Sequence, residues 1–357
     1  MRAALLGACA TLVLAGCAAH TPAVLHFGML DAPEGRQVAF PPAPEVPRYL
    51  YAGELTGESN FQPNGTAAAR SVMRRVFDAI TGLDSADAPR SELQRPVAGM
   101  SSDAEGRIYV TDMSRQAVYV FDQRAGELQI WDRAYGMTPF AAPVGIAAGR
   151  DGEVLVVDAD LALVARLDRQ GNPRGTLGKG LLQRPTGIAR DPQTGVLFVA
   201  DTQAHDVKVF SEDGTFIRTL GRRGDAAGEF NYPTHLAFAR GELYVTDTMN
   251  SRVQVFGAEG EAFKRQFGGP GLYVGNLVRP KGIALDSEGN AYVIEGYYDH
   301  LLVFSDRGEL LLPIGGTGSS VGRFFLPNGV WVDARNRVFV ADMFNGRVAV
   351  FQFLGGD

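Results

Sequence analysis

One pattern recurs six times along this 357-residue chain and constrains its fold more than any other feature. Each copy opens with a proline, ends its second apolar stretch on a carboxylate, and closes on a large apolar residue nine positions later. The prolines are 47, 42, 48, 47 and 47 residues apart, at Pro96, Pro143, Pro185, Pro233, Pro280 and Pro327. The carboxylates are Asp112, Asp158, Asp201, Asp247, Glu295 and Asp342, and the closing residues are Phe121, Leu167, Phe210, Phe256, Phe304 and Phe351. These spacings indicate one structural unit repeated six times.

The copy from Arg184 to Phe210 shows what each unit contains. Residues 187–189 and 196–200 are rich in apolar, β-branched and aromatic side chains and flank a turn-rich stretch, which predicts two paired strands. Residues 206–210 predict a third strand, and residues 215–220, which follow this copy after a turn, predict a more exposed fourth one. A four-stranded sheet cannot bury both faces until neighbouring sheets stack on it. We therefore predict an all-β, six-bladed β-propeller of four-stranded antiparallel blades.

The repeats also carry a family resemblance. The pattern Pro-x-Gly-(Ile/Val)-Ala, then (Val/Ile)-x-Asp-(Thr/Met), then Arg-Val-x-Val-Phe, as at 252–256 and 347–351, resembles the NHL-repeat family over about residues 93–353. The second position after each proline is small in five of six copies, as expected where inner strands converge: Ala98, Gly145, Gly187, His235, Gly282 and Gly329. The resemblance implies the fold but no single activity, because such propellers include RNA-binding modules, peptide-processing lyases, lactonase-like relatives and interaction scaffolds.

The first residues predict export and lipid attachment. Met1-Arg2 precedes an apolar run at 3–14 that is too short to span a membrane. Leu14-Ala15-Gly16-Cys17 resembles the bacterial lipobox, so we predict a signal peptide over 1–16, a lipidated Cys17 and a place in the cell envelope. Ala18 is not the aspartate that resembles a retention signal for the inner membrane, which favours the outer membrane, on its periplasmic or surface side. The alternative is an ordinary secretory peptide cut nearby.

The segment from 17 to 47 is rich in proline and has no sustained periodicity, which predicts an extended tether, although residues 24–30 are apolar enough to pack on the propeller. The propeller domain is expected over 48–357. Its last copy lacks an outermost strand, and residues 48–53 have a strand-like pattern. We therefore expect residues 48–53 to complete the last blade and close the ring, which removes two exposed sheet edges.

A single segment, about 64–82, has helical periodicity. Met73, Val76, Phe77 and Ile80 recur at helical spacing, which predicts an amphipathic helix inserted before the first blade. The helix either lies on the propeller surface, or serves as a lid or docking element.

Departures from the repeat mark the candidate binding residues. The first strand starts where the second one ends, so the prolines and the six carboxylates share one end of the ring. The carboxylates are expected to accept backbone N–H groups of adjacent turns rather than to bind a cation. In the fifth copy Glu295 replaces aspartate and is followed by Tyr297, Tyr298 and His300, which suit a sugar, peptide or aromatic ligand or simply cover the blade edge.

Two further histidines break the repeat. His235 is the bulky residue at the second position after its proline, near the mouth of the channel, and His205 lies in a turn of the third copy. Either is suited to a general base or a zinc ligand, but their spacing matches no metal-binding motif. No nucleophile elbow, haem-attachment motif or phosphate-binding loop is present, and Cys9 and Cys17 lie outside the propeller. We predict no metal, no cofactor and no catalytic residue.

The net charge of −6 disfavours polyanionic partners, so nucleic acid is not expected. The leading hypothesis is a membrane-anchored, non-catalytic scaffold for a protein or peptide partner. One alternative is a metal-assisted lyase or lactonase-like hydrolase with a site at the channel mouth around His235 and Glu295. A second is a glycan or small-ligand binder that uses Tyr297 and Tyr298.

Overall fold

A computed structural model of the chain describes residues 23–29, 37–62, 91–102, 106–257 and 262–355. Six antiparallel sheets of four or five strands form a ring in this part of the chain, which confirms the predicted propeller. None of the described helices is long and apolar enough to cross a membrane. The predicted signal peptide, Cys17 and the predicted helix near 64–82 lie outside the described residues.

Part of the proline-rich segment pairs with the propeller. Its two short strands are β1 (Val24–Leu25) and β2 (Ala39–Phe40), and they are followed by β3 (Tyr49–Leu55), a 3-10 helix (Glu58–Asn60) and β4 (Phe61–Gln62). β1 pairs with β4, and β2 pairs with β3. The described residues of this segment therefore lie on the propeller, as the apolar character of residues 24–30 suggested.

Blades 1 to 5 are meanders in which each strand pairs with its neighbours in sequence. Blade 1 comprises β5 (Pro96–Ser102), β6 (Arg107–Asp112), β7 (Ala117–Asp122) and β8 (Glu127–Trp131). A small hairpin of β9 (Arg133–Tyr135) and β10 (Thr138–Pro139) follows. Blade 2 comprises β11 (Pro143–Ala148), β12 (Val154–Asp158), β13 (Leu163–Leu167) and β14 (Pro173–Leu177), with a 3-10 helix (Arg150–Gly152) after β11. Blade 3 comprises β15 (Pro185–Arg190), β16 (Leu197–Asp201), β17 (Asp206–Phe210) and β18 (Phe216–Leu220).

The remaining strands complete the ring. Blade 4 comprises β19 (Pro233–Ala239), β20 (Glu242–Asp247), a 3-10 helix (Thr248–Asn250), β21 (Arg252–Phe256) and β22 (Phe263–Phe267). Blade 5 comprises β23 (Pro280–Leu285), β24 (Ala291–Glu295), β25 (His300–Phe304) and β26 (Leu310–Gly315). Blade 6 contains β27 (Val330–Val332), β28 (Arg337–Asp342), a 3-10 helix (Met343–Asn345) and β29 (Arg347–Phe353).

The N-terminal strand closes the ring as predicted. β3 pairs antiparallel with β29, with Leu55 opposite Val348 and Tyr49 opposite Phe353. β2 adds a fifth strand outside β3, which the sequence did not indicate. Strands from the N-terminal and C-terminal parts of the described chain therefore share one sheet, and blade 6 has no open edge at β29.

Apolar residues pack between neighbouring blades. Phe198 of blade 3 stacks on Phe238 of blade 4, with ring centroids 5.8 Å apart. Between blades 6 and 1, the indole Nε1 of Trp331 donates to Oγ of Ser101 at 3.1 Å. These contacts bury surface that an isolated blade would expose to water, so each blade is stabilised by its neighbours.

The small residues of the inner strands allow close backbone approach. A Cβ added to Gly187 would lie 2.5 Å from the carbonyl oxygen of Thr234 in the next blade. A Cβ added to Gly329 would lie 2.5 Å from the carbonyl oxygen of Val97. Sterics therefore select glycine here, as the sequence predicted for the convergence of the inner strands.

Candidate functional site

The carboxylates at the ends of the second strands are held by backbone N–H groups. Asp158 accepts from Ala141 at 2.7 Å, from Ala142 at 3.0 Å and from Leu161 at 3.0 Å. Backbone N–H groups also donate to Asp112, Asp201, Asp247, Glu295 and Asp342. These acids join the start of one strand to the end of the next, which confirms the structural role expected from the sequence.

A cavity of about 260 Å³ lies on the propeller axis at this same end. Each blade contributes the residue that follows its opening proline: Val97, Val144, Thr186, Thr234, Lys281 and Asn328. His235 and two methionines that follow carboxylates, Met113 and Met343, complete the lining. Because all six blades contribute, we call this space the axial cavity.

The strand geometry explains why the first position after the proline lines the cavity. The register between the first two strands shifts just after the proline, for example between Pro185 and Gly187 and between Pro280 and Ile283. Side chains alternate along a strand, so one residue points to the axis while the next abuts the neighbouring blade. His235 is the exception, since it follows Thr234 and still lines the cavity.

Threonines of blades 3 and 4 form the fixed polar part of the wall. The hydroxyl of Thr186 donates to the carbonyl oxygen of Thr234 at 2.7 Å and contacts the hydroxyl of Thr202 at 2.6 Å. The hydroxyl of Thr234 lies 2.7 Å from that of Thr248, which donates to the carbonyl of Pro280. These hydroxyls therefore link blade 3 to blade 4 and blade 4 to blade 5 around the cavity.

Lys281, Asn328 and His235 form the part of the wall that differs most from the repeat. The Asn328 amide, oriented to satisfy its neighbours, donates to Nε2 of His235 at 3.1 Å and accepts from Nζ of Lys281 at 3.3 Å. Nδ1 of His235 lies 3.1 Å from the hydroxyl of Thr234. Burial and the charge of Lys281 lower the pKa of His235 to about 3, so its ring is neutral at neutral pH. Burial, with a contribution from Arg279, also lowers the pKa of Lys281.

The sequence analysis placed His235 near the channel mouth, and the residue lines the axial cavity, but it did not single out Lys281 and Asn328. The signal was present at the first position after each proline, where Lys281 is the one charged residue among the six copies. The prediction was based on the second position after the proline, where the residues other than His235 abut neighbouring blades. Gly296 leaves room for the Lys281 side chain, because a Cβ at position 296 would lie 3.3 Å from Cδ of the lysine.

His205 is engaged in local structure. Its Nδ1 accepts the backbone N–H of Tyr232 at 3.2 Å, and the two rings lie 4.3 Å apart. The residue is buried and has a positive φ of 59°, which suits a turn position. Burial and the nearby Arg223 lower the pKa of His205.

The candidate residues of blade 5 line a different and smaller space. Glu295, Tyr298 and His300 border a cavity of about 90 Å³ together with the loop around Tyr273. Glu295 is 1% exposed and accepts backbone N–H groups, including that of Tyr298 at 2.7 Å. Tyr297 is 56% exposed and meets the ring of Tyr298 at 89°. The structure therefore brings Glu295, Tyr298 and His300 together, but His235 lines the axial cavity.

The described residues include no group of three or more histidine, cysteine, aspartate or glutamate side chains arranged to hold a metal ion.

Exposed aromatic, aliphatic and basic residues lie at the end of the ring where the axial cavity lies. They occupy two positions in the repeat, just before the proline or two residues after the carboxylate, where the remaining copies have Ala142, Ser114, Asp160 and Gln203. We call the following set the rim: Arg95, Arg184, Tyr232, Met249, Arg279, Tyr297, Leu326 and Phe344. The guanidinium of Arg95 lies 5.0 Å from the ring centroid of Phe344, and that of Arg279 lies 6.0 Å from the ring centroid of Tyr297.

Fold and repeat define the class: the chain is a six-bladed β-propeller of NHL-type repeats. A family model described as a 6-bladed beta-propeller matches residues 191–267. Protein brain tumor of Drosophila melanogaster is 28% identical over 136 residues, which is 37% of this chain and 12% of that protein. Peptidyl-glycine alpha-amidating monooxygenase A of Xenopus laevis is 32% identical over 150 residues, or 38% of this chain and 16% of that protein.

Structural similarity covers more of the chain than sequence similarity does. Virginiamycin B lyase from Staphylococcus aureus superposes with a TM-score of 0.54 at 15% identity, over 73% of this chain and 96% of that chain. At that identity the likeness concerns the fold. The chain matches less than a fifth of the length of the two curated relatives named above.

Proposed function

We propose that this protein is an exported, lipid-anchored propeller that binds an acidic protein or peptide partner on the rim, without catalysis. The observation that carries the proposal is the composition of the rim, where tyrosine, phenylalanine, methionine and arginine are exposed around one opening. These residue types are enriched in protein interfaces, and aromatic and arginine side chains dominate binding energy. Rigid blades keep such a surface ordered before binding, which reduces the entropic cost of association.

The charge of the rim defines the partner further. Arg95 and Arg279 lie over aromatic rings of the rim, while Arg184 pairs with Asp160 at 2.6 Å. The neighbouring Lys281 adds positive charge at the axis. An acidic segment with apolar side chains complements this surface, although the chain as a whole is negative.

The positions of the candidate acids and bases support a binding role over a lyase or hydrolase. Glu295 accepts backbone N–H groups from both flanking turns, and His205 accepts one from Tyr232. His235 and Glu295 border different cavities, so they do not share one reaction site. Tyr297 and Tyr298 are perpendicular, so they do not form one flat platform for a sugar ring.

Peptide-display selection on the full chain in detergent tests the proposal. Enriched peptides are expected to be acidic and to contain aromatic or aliphatic residues. Binding should fall at least tenfold in a Tyr297→Ser, Phe344→Ser variant. It should not change in a Phe216→Ser, Ile217→Ser variant, whose altered side chains are exposed on the outermost strand of blade 3. Enriched peptides that bind both variants equally, or turnover of a defined substrate by the pure protein, would refute the proposal.

A further inference from the structure

We propose that the axial cavity is a binding site for a carboxylate carried on a short apolar group, with the ammonium of Lys281 as the recognising charge. The inference does not depend on the partner proposed for the rim. It rests on the charge, the wall chemistry and the size of the cavity.

The ammonium group of Lys281 has no anionic partner among the described residues that line the axial cavity. None of the described residues that line the axial cavity is acidic, and the neutral Asn328 amide is the partner found for Nζ. A partly buried ammonium is costly unless an anion offsets it. A carboxylate next to Nζ therefore gains a charge-assisted hydrogen bond at a site that is already desolvated.

The sequence of blade 5 makes room for this lysine. Gly296 occupies the position where blades 1 and 6 carry Met113 and Met343. A Cβ at Gly296 would approach Cδ and Cε of Lys281 at 3.3 and 3.4 Å. Glycine at position 296 therefore leaves room for the aliphatic part of the Lys281 side chain. This steric role explains one of the departures from the repeat in the fifth copy.

The cavity wall has two chemically distinct halves. Blades 3 to 6 contribute Thr186, Thr234, Lys281 and Asn328, whereas blades 1 and 2 contribute Val97 and Val144. Met113 and Met343 extend the apolar half. A ligand with a carboxylate at one end and a small aliphatic body at the other matches both halves.

Size and charge narrow the ligand class. The volume of about 260 Å³ is below the roughly 300–1,000 Å³ of pockets for drug-sized ligands, so a short acid or a single terminal residue fits. His235 is neutral at neutral pH, so Lys281 is the one basic side chain of the described wall that can carry the positive charge there. A singly charged carboxylate neutralises this charge. A dianion would leave one negative charge unbalanced in the cavity, and a metal cation would be repelled by Lys281.

The carboxylate has two possible sources, a free small acid or the C-terminus of a peptide. Calorimetric titration of the full chain in detergent distinguishes them with 3-methylbutanoate and with a heptapeptide ending in valine. The matched controls are 3-methylbutanamide and the same peptide as its C-terminal amide. We expect at least one acid to bind, and its amide to bind at least tenfold more weakly.

Variants assign the effect to the lysine. Lys281→Met keeps the length of the side chain and should weaken acid binding at least tenfold, whereas Lys179→Met, outside the cavity, should leave it unchanged. The rim variant with Tyr297→Ser and Phe344→Ser should still bind the free acid, which separates this inference from the proposed function. Acid binding should also weaken as the pH rises through the lowered pKa of Lys281. If neither acid binds, or if acids and amides bind the wild-type protein equally, the inference is wrong, whatever the variants do.

Discussion

Nη1 of Arg347 lies 2.9 Å from Oε2 of Glu54, although the two residues are 293 positions apart in the chain. The same guanidinium donates through Nε to Asp342 at 2.9 Å and through Nη2 to the carbonyl of Arg323 at 3.0 Å. Arg252 makes the equivalent contact with Asp247 in blade 4, at 2.8 Å. The arginine that opens the Arg-Val-x-Val-Phe pattern therefore ties its strand to the preceding carboxylate, and in blade 6 also to the closing strand.

Replacing Arg347 with methionine should destabilise the protein strongly. The change leaves the fully buried Asp342 without its cationic partner, which typically costs about 3–5 kcal/mol. Urea unfolding followed by tryptophan fluorescence measures the loss, because Trp331 lies in the same blade. Glu54→Gln is the control and should cost less than about 1 kcal/mol, since the Glu54 side chain is 40% exposed. Equal losses in the two variants would contradict this assignment.

Gly329→Ala should destabilise the ring through steric overlap. The new Cβ would lie 2.5 Å from the carbonyl oxygen of Val97 and 2.9 Å from Cα of Ala98, both of which are backbone atoms of blade 1. We expect a decrease in Tm of several degrees, measured by calorimetry. Gly269→Ala is the matched control, because a Cβ there meets no atom within 4 Å. A Tm of Gly329→Ala within one degree of the control would disprove close packing at the axis.

Acidification should reveal the lowered pKa of His235. Its pKa falls to about 3 in the folded protein, below the ordinary value of 6.5, so the unfolded chain binds the proton more readily. This contribution to stability is complete above pH 6.5 and is lost as the pH falls, by at most about 1.4 kcal/mol per pH unit. Urea unfolding between pH 6.5 and 4.5 should show a smaller loss for His235→Gln than for the wild type. Identical slopes would argue against a neutral, desolvated His235.

The proposed anchor is tested by Cys17→Ser. If Cys17 carries lipid, the wild-type protein should enter the detergent phase of a Triton X-114 extract and incorporate radiolabelled palmitate in a bacterial host. The variant should incorporate no label and should remain in the aqueous phase. A wild-type protein that stays aqueous and unlabelled would contradict lipidation.

Repetition explains how much of the fold the sequence predicted. The carboxylate and the closing apolar residue recur in the same place in every blade, so the six copies supported one prediction. The closing strand was predictable because the last copy was one strand short. The fifth strand of blade 6 was missed because β2 has only two residues, too few to show a period.

The axial cavity was harder to predict than the blades. Which side chain reaches the axis depends on the register shift after each proline, and no residue type in the sequence specifies that shift. The recurring glycines directed the prediction to the second position after the proline, whereas Lys281 and Asn328, which line the cavity, are at the first position. His235 was identified because its bulk broke the pattern. Glu295 was identified by the same logic, but its oxygens accept backbone N–H groups.

The pairing of β3 with β29 sets the order in which the molecule is completed. β3 cannot pair with β29 until the chain between them has been synthesised, because Leu55 pairs with Val348. Loop closure adds only about 0.6 kcal/mol for each doubling of length, so the long separation costs little at equilibrium but delays the final step. A chain that is cut short before β29 keeps the pairing of β3 with β2 but exposes the other edge of β3. That edge could accept β29 of a full-length copy, which would yield an intertwined dimer.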